Sequence, residues 1–294
     1  MAIAQLAEFL RKMLGTAWNS VKKNPDITEM NRLHEAGKKA YYAAEYDKAL
    51  ALCEQGLAIA RKTGNQKRIG GFLSSSGDVY DSLGRYDEAL TYSEQALDIH
   101  KELGDRRGEG ANLSNIGVVY WNLGRYDEAL TYSEQALAIH KEIGDRHSVG
   151  ANLSNIGLVY DDLGRYDQAL TYHEQALAIH KEIGNRSGEG DNLAFIGLVY
   201  KNLGQHDKEL TYYEQALAIY KEIGNRKDEG VALTCIGTMY GDLGRHLARG
   251  RPEGAVISQV SHQLLSLLCS ILIHTGRNRK DVRVQLNRLV TIRS

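Results

Sequence analysis

The 294-residue chain is 43% hydrophobic and 25% charged, a composition typical of a soluble folded protein. Its three cysteines, Cys53, Cys235 and Cys269, are odd in number, far apart and outside any CxxC pattern. This spacing argues against a disulfide framework and a zinc knuckle, and it predicts a reducing, cytoplasmic location. The net charge of −1 conceals an asymmetry, since residues 30–245 carry a balance of −8 and residues 246–294 one of +6.

Residues 1–25 form the first predicted segment, an amphipathic helix with apolar residues such as Leu6, Leu10 and Leu14 at three- and four-residue spacing. Glu8 and Arg11 interrupt any apolar run, so the segment does not have the pattern of a secretory signal. We expect it to cap the open end of the array that follows. A helix that lies on a membrane surface or binds a partner is the alternative.

Residues 26–245 repeat one forty-residue unit, with copies that start near residues 30, 70, 110, 150, 190 and 230. The segments 110–149 and 150–189 are identical at 31 of 40 positions. One glycine ladder shows the constant period: Gly37, Gly77, Gly117, Gly157, Gly197 and Gly237. Identity over an unbroken period indicates one structural unit duplicated in tandem.

Each unit is predicted to be an antiparallel pair of helices. In the third copy, Leu113, Ile116 and Tyr120 recur at helical spacing, and Gly124 occupies a position where a helix ends with positive φ. A second helix follows, with acidic residues in its first turn and a small, apolar buried side. One pair alone cannot bury both apolar sides, whereas stacked pairs can.

These positions resemble the tetratricopeptide repeat, whose pattern falls on Leu113, Ile116, Gly117, Tyr120, Gly124, Tyr126, Ala129 and Ala136. The forty-residue spacing is similar to the longer subtype of kinesin light chains, Pins-type scaffolds and bacterial arrays. The resemblance implies an all-α, right-handed superhelical solenoid with five full repeats and one half repeat. Three departures stand out, namely Ala44 at a turn glycine position, His206 for tyrosine and Glu209 for a packing alanine. The last puts tight packing of that helix in doubt.

Residues 246–294 form a basic and partly helical tail that no longer follows the repeat. Residues 254–276 are uncharged and long enough to span a bilayer, but polar residues interrupt them, namely Ser258, Gln259, Ser261, His262, Gln263, Ser266 and Ser270. We favour a helix that closes the last half repeat, and membrane contact is disfavoured. A regulatory tail, a membrane segment and a frameshift product remain as alternatives.

The chain shows no motif of a catalytic or metal site, so we expect no enzyme activity, no cofactor and no metal. His100, His140 and His180 recur at one position, but equivalent residues of stacked helices point in parallel and do not converge on one ion. We interpret them as surface residues near helix C-termini. Cys53 is expected to fill the core, and Cys235 to lie on the groove side. The acidic array disfavours specific nucleic-acid binding.

The resemblance implies that the first helices of successive units line a concave groove for a peptide or a partner helix. Asn115 and Asn155 resemble family asparagines that hold a ligand backbone, Trp121 offers an apolar anchor, and the aspartates favour a basic ligand. The expected site comprises these positions: Asp78, Asp81, Asn115, Val118, Trp121, Asn122, Asn155, Leu158, Asp161, Asp162, Asp191, Phe195, Leu198 and Lys201.

The predicted function is therefore that of a protein–protein interaction scaffold whose partner is another protein or peptide with basic residues. One alternative is a self-inhibited switch in which the basic tail occupies the acidic groove. Another is the sensor or regulatory fragment of a larger multidomain signalling protein or enzyme. Self-association through the repeat ends stays open.

Overall fold

The computed structural model describes residues 25–248, with side chains for residues 25–241. This part of the chain contains eleven helices and no strand: α1 (Pro25–Tyr42), α2 (Tyr46–Lys62), α3 (Gln66–Ser82), α4 (Tyr86–Glu102), α5 (Arg106–Asn122), α6 (Tyr126–Glu142), α7 (Arg146–Asp162), α8 (Tyr166–Glu182), α9 (Arg186–Asn202), α10 (His206–Glu222) and α11 (Arg226–Ala248). The prediction of five helix pairs and one further first helix is confirmed. Except for Pro25, which begins α1, the predicted cap at residues 1–25 lies outside the described residues, as does the tail from residue 249 onward.

The turn inside each helix pair depends on one residue in the left-handed region. Gly124 has φ +70°, and the glycines at the equivalent position of the other described turns have similar values. Ala44 adopts φ +58° at this position, although a Cβ makes that region costly. The first copy therefore keeps the turn geometry without glycine, at the expense of local strain. Gly244, by contrast, lies inside α11, which continues three residues beyond the predicted end of the array.

The described residues form two compact units, residues 25–159 and residues 160–248. In the first unit, α1 to α6 pack consecutively, and α3 also contacts α1 and α5. First helices thus lie beside first helices, as the stacked-pair prediction requires. In the second unit, α8, α9, α10 and α11 pack consecutively.

The core of the first unit consists of small residues that allow close helix approach and larger residues that fill the space opposite them. Ala89, Ala96, Ala129 and Ala136 are fully buried. Phe72 contributes the largest buried side chain of this unit, and it fills the space above Gly56. Cys53 is buried, which confirms its prediction as a core residue. Full burial of a side chain as large as that of Phe72 contributes about 1.5–3 kcal/mol to stability.

The sequence put tight packing of α10 in doubt because Glu209 replaces an alanine. In the second unit, α10 nevertheless packs against α9 and α11, and Glu209 is buried. The carboxylate of Glu209 is 1% exposed, and its Oε2 lies 2.9 Å from Nδ1 of His206. The two departures from the repeat pattern therefore contact each other. A charged side chain is accommodated at an alanine position because its neighbour supplies a hydrogen-bond partner.

Candidate functional site

Four of the predicted site residues line one open pocket in the first unit. Asp78 and Asp81 come from α3, and Asn115 and Val118 come from α5. Tyr41 and Tyr42 at the end of α1 complete the wall, so three successive first helices form it, together with Ser93 of α4. The pocket has a volume of about 430 Å³. We call it the α1–α3–α5 pocket, lined by Tyr41, Tyr42, Gly77, Asp78, Asp81, Ser93, Asn115, Val118 and Val119.

Hydrogen bonds between neighbouring first helices hold the two aspartates of the pocket. The amide Nδ2 of Asn115 donates to Oδ1 of Asp78 across 2.5 Å, and Nδ2 of Asn122 donates to Oδ1 of Asp81 across 2.9 Å. The amide of Asn115, which was predicted to hold a ligand backbone, is therefore already engaged by a side chain. A ligand backbone has to compete with Asp78 for this amide.

The two carboxyl groups of the pocket are harder to ionise than ordinary aspartates. Burial raises the pKa of Asp78 to about 7, the neighbouring Asp81 adds to this shift, and the hydrogen bond from Asn115 opposes it. Burial also raises the pKa of Asp81, against the hydrogen bond from Asn122. The pocket therefore concentrates carboxylates whose negative charge is poorly solvated, an arrangement that favours a cation beside them.

The other predicted residues of the first unit lie on α5 and α7, outside this pocket. Trp121 is half-buried at the end of α5, and Asn122 is exposed beside it. Asn155 and Leu158 are half-buried on α7. The α1–α3–α5 pocket contains neither of them.

The second unit places its predicted residues in more than one environment. Asp161 is buried and accepts a hydrogen bond from Nδ2 of Asn202 across 3.0 Å, which repeats the contact between Asn122 and Asp81. Burial raises the pKa of Asp161. Asp162 and Lys201 are exposed at the helix ends, and Leu198 is half-buried.

Asp191 and Phe195 contact other parts of the second unit. The hydroxyl of Tyr220 donates to Oδ1 of Asp191 across 2.9 Å, so this carboxylate is tied to the last turns of α10. The ring of Phe195 lies against the buried ring of His173, with centroids 5.3 Å apart. Both residues therefore stabilise the repeat itself, in addition to any contact that they make with a ligand.

Sequence comparison assigns this architecture to a family. The family model described as tetratricopeptide repeat matches residues 33–102, 69–142, 109–182 and 148–222. The chain belongs to the tetratricopeptide repeat family. No curated protein matches the chain in sequence.

Solved structures agree with this tetratricopeptide fold at low sequence identity. A Rap protein complexed with competence and sporulation factor is 16% identical, with a TM-score of 0.66 over 86% of this chain and 79% of that chain. The Rap conjugation gene regulator of plasmid pLS20, in complex with the Phr* peptide, is 14% identical, with a TM-score of 0.62 over 88% and 80%. The kinesin light chain repeats of Podosopora anserina are 20% identical, with a TM-score of 0.54 over 67% and 96%. The tetratricopeptide fold is typical of scaffolds for protein–protein interaction.

The interpretation of the three repeated histidines, His100, His140 and His180, as surface residues was wrong. His100, His140 and His180 are 6%, 2% and 4% exposed. Glycines of the adjoining first helices create the space, since a Cβ at Gly70 or Gly108 would contact the His100 ring at 2.9 and 2.2 Å. Among the described residues, no group of three metal-ligand side chains could hold an ion. These imidazoles fill the core between helix pairs.

Sequence reasoning missed five residues of the pocket, namely Tyr41, Tyr42, Gly77, Ser93 and Val119. Tyr41 occupies the position of Asp81 and Trp121 one and two repeats later, so the same column of the repeat identifies it. The predicted site began at the second copy and left the first out.

Over the described residues, no helix is both long and apolar enough to cross a membrane.

Proposed function

We propose that this tetratricopeptide protein binds a peptide or helix with basic residues on the face formed by its first helices, without catalysis. The observation that carries the proposal is the α1–α3–α5 pocket, where Asp78 and Asp81 lie beside Tyr41 and Val118. Carboxylates next to apolar and aromatic surface complement a side chain that has a cationic end and an apolar stem.

The structures of similar fold support a bound peptide. One Rap protein is complexed with competence and sporulation factor, and another with the Phr* peptide. We infer that this chain also binds a peptide, and that its first helices supply the contacts. Trp121 in the first unit and Phe195 in the second supply apolar contacts. Asn155 offers an amide to the ligand backbone, and Asn115 does so by exchanging its hydrogen bond with Asp78.

The proposal is tested with an array of synthetic 15-residue peptides that vary in charge, probed with the full-length protein. We expect peptides with lysine or arginine to bind more tightly than acidic peptides of equal hydrophobicity. The affinity of the basic peptides should fall as the salt concentration increases. The Asp78→Asn, Asp81→Asn double variant should lose about tenfold in affinity. Binding that is indifferent to peptide charge would refute the proposal.

A matched control removes the same two charges elsewhere. Glu94 and Asp98 are exposed on α4, a second helix, and the Glu94→Gln, Asp98→Asn variant keeps the pocket intact. We expect this variant to bind like the wild type. Equal losses in both double variants would mean that net charge, and not the pocket, determines binding.

A further inference from the structure

We propose that the α1–α3–α5 pocket is a lysine subsite, which seats one lysine side chain of the bound segment with its ammonium group between Asp78 and Asp81. This inference rests on the proposed function and adds the identity of one ligand side chain. The structure points to lysine, and not arginine, because one oxygen of each carboxylate in the pocket already accepts a hydrogen bond.

Each of the two carboxylates already has one oxygen engaged by an asparagine amide. Asn115 bonds Oδ1 of Asp78, and Asn122 bonds Oδ1 of Asp81. A guanidinium group binds a carboxylate best through two parallel hydrogen bonds, one to each oxygen. An ammonium group needs only one oxygen from each carboxylate, since its three donors point in separate directions. Oδ2 of Asp78 and Oδ2 of Asp81 therefore suit lysine.

A third acceptor lies at the base of the pocket. Ser93 is fully buried, and its Oγ has no hydrogen-bond partner among the described residues. The residue above it is Gly77, where a Cβ would approach this Oγ to 2.5 Å, so the absence of a side chain there keeps the buried hydroxyl at the wall of the pocket. A buried hydroxyl without a partner costs about 1–3 kcal/mol. A donor from the ligand removes that cost.

The walls of the pocket fit the apolar stem of lysine. Val118 and Tyr41 flank the carboxylates, and the Tyr42 ring lies at the edge with 84% of its surface exposed. The centroids of the two tyrosine rings are 5.6 Å apart. A lysine ammonium group that enters past these rings gains a cation–π contact. The methylene groups of the lysine side chain cover apolar surface that is otherwise exposed to water.

Protonation should couple to this binding because a cation favours the ionised carboxylate. Burial and Asp81 hold the pKa of Asp78 at about 7, so lysine binding at that pH releases a proton. The groups that face Asp78 are Asp81 on its own helix, Asn115 on α5, Tyr41 and Tyr42 on α1, and the Cys53 thiol on α2. Burial raises the pKa of that thiol to about 11, so it stays neutral. Affinity should therefore rise between pH 6 and pH 8.

The test is an NMR titration of the full-length protein with N-acetyl-lysine methylamide, followed on the methyl groups of Val118. A Val118→Leu variant, which has the residue of the next repeat, assigns the signals. We expect saturable shifts with the lysine compound, at least threefold weaker binding of the arginine compound, and no saturation with the norleucine compound. Asp78→Asn, Asp81→Asn and Ser93→Ala should each weaken lysine binding by about threefold or more.

Equal binding of the lysine and norleucine compounds, or unchanged lysine binding in the two aspartate variants, would overturn the inference. The Asp78→Asn variant retains an acceptor for Asn115, so a folding defect does not mimic the result. Failure of the subsite is distinguishable from failure of the proposed function. If basic peptides still bind through the first helices without a preference for lysine, only the subsite is refuted.

Discussion

The imidazole Nδ1 of His206 lies 2.9 Å from the carboxylate Oε2 of Glu209, one helical turn further along α10. Earlier copies have tyrosine and alanine at these two positions, as in Tyr126 and Ala129. The fifth copy thus differs at two positions that contact each other. Glu209 is fully buried, and its Oε1 has no partner among the described residues, so His206 is its principal compensation.

We predict that His206→Ala lowers the free energy of unfolding by about 1–3 kcal/mol, because it leaves a buried carboxylate without its partner. The double variant His206→Tyr, Glu209→Ala restores the residues of the other copies and should be at least as stable as the wild type. Urea denaturation followed by circular dichroism measures both. Additive effects of the single changes in a double-mutant cycle would show that the two residues are not coupled.

A second coupled pair joins the first and second repeats, between Gly56 and Phe72. A Cβ at Gly56 would come within 2.2 Å of the Phe72 ring, whereas later copies combine alanine with asparagine, as in Ala96 and Asn112. We expect Gly56→Ala to destabilise the wild type by about 1–3 kcal/mol through overpacking.

The effect of Gly56→Ala on stability should change from destabilising to stabilising once the Phe72 ring is removed. In a Phe72→Asn background, Gly56→Ala should stabilise by about 0.5–1 kcal/mol, since alanine is the better helix former. Thermal denaturation of the four proteins provides the comparison. A destabilising effect of equal size in both backgrounds would contradict the role assigned to Phe72.

Ala44 offers a test of turn strain. Its φ of +58° places a Cβ in the left-handed region, where the other described turns have glycine. Ala44→Gly should stabilise the protein by about 0.5–1 kcal/mol, a relief of roughly 1–2 kcal/mol reduced by the greater chain entropy of glycine in the unfolded state. Ala43→Gly, one residue earlier in the same turn, is the control and should not stabilise.

The sequence predicts the repeat fold well because the residues that pack within each helix pair recur every forty positions and can be recognised by that recurrence. It predicts lateral contacts poorly. Asn115 reaches Asp78 across 37 residues and Asn122 reaches Asp81 across 41, so neither contact falls on the period. The burial of His100 was missed for a related reason. The space for its ring comes from Gly70 and Gly108 on two neighbouring first helices, and no helical pattern within α4 records it.

His173 should make the protein sensitive to acid. Its ring is fully buried in the second unit, and burial lowers its pKa to about 4, against a weak contact to Asn192. Because this pKa is lower in the folded state than the unfolded value of about 6.5, the stabilisation is complete above pH 6.5 and is lost as the pH falls toward 4.

The change His173→Ser, which introduces the residue found at Ser93 and Ser133, should flatten this dependence by about 2–3 kcal/mol between pH 6.5 and pH 4. Chemical denaturation at closely spaced pH values measures the slope. His147 is exposed, and His147→Ser is the matched control. An unchanged slope in the His173 variant would contradict the assignment.

Asp78 should affect stability in the opposite direction. Its pKa is raised to about 7 in the folded protein, so its contribution is complete below the unfolded value of about 3.9 and is lost as the pH rises through 7. Asp78→Asn should therefore stabilise the protein by about 1–3 kcal/mol at pH 8 and have little effect near pH 4. The isosteric amide keeps the acceptor that Asn115 bonds.

Denaturation of Asp78→Asn at pH 4 and pH 8, with the exposed Asp98→Asn as control, tests this prediction. A gain of equal size at both pH values would show that the carboxylate charge is not the cause. If the gain appears only at pH 8 and basic peptides bind more weakly, Asp78 exchanges stability for binding. Such a trade-off is typical of residues at functional sites, and a purely structural aspartate would not show it.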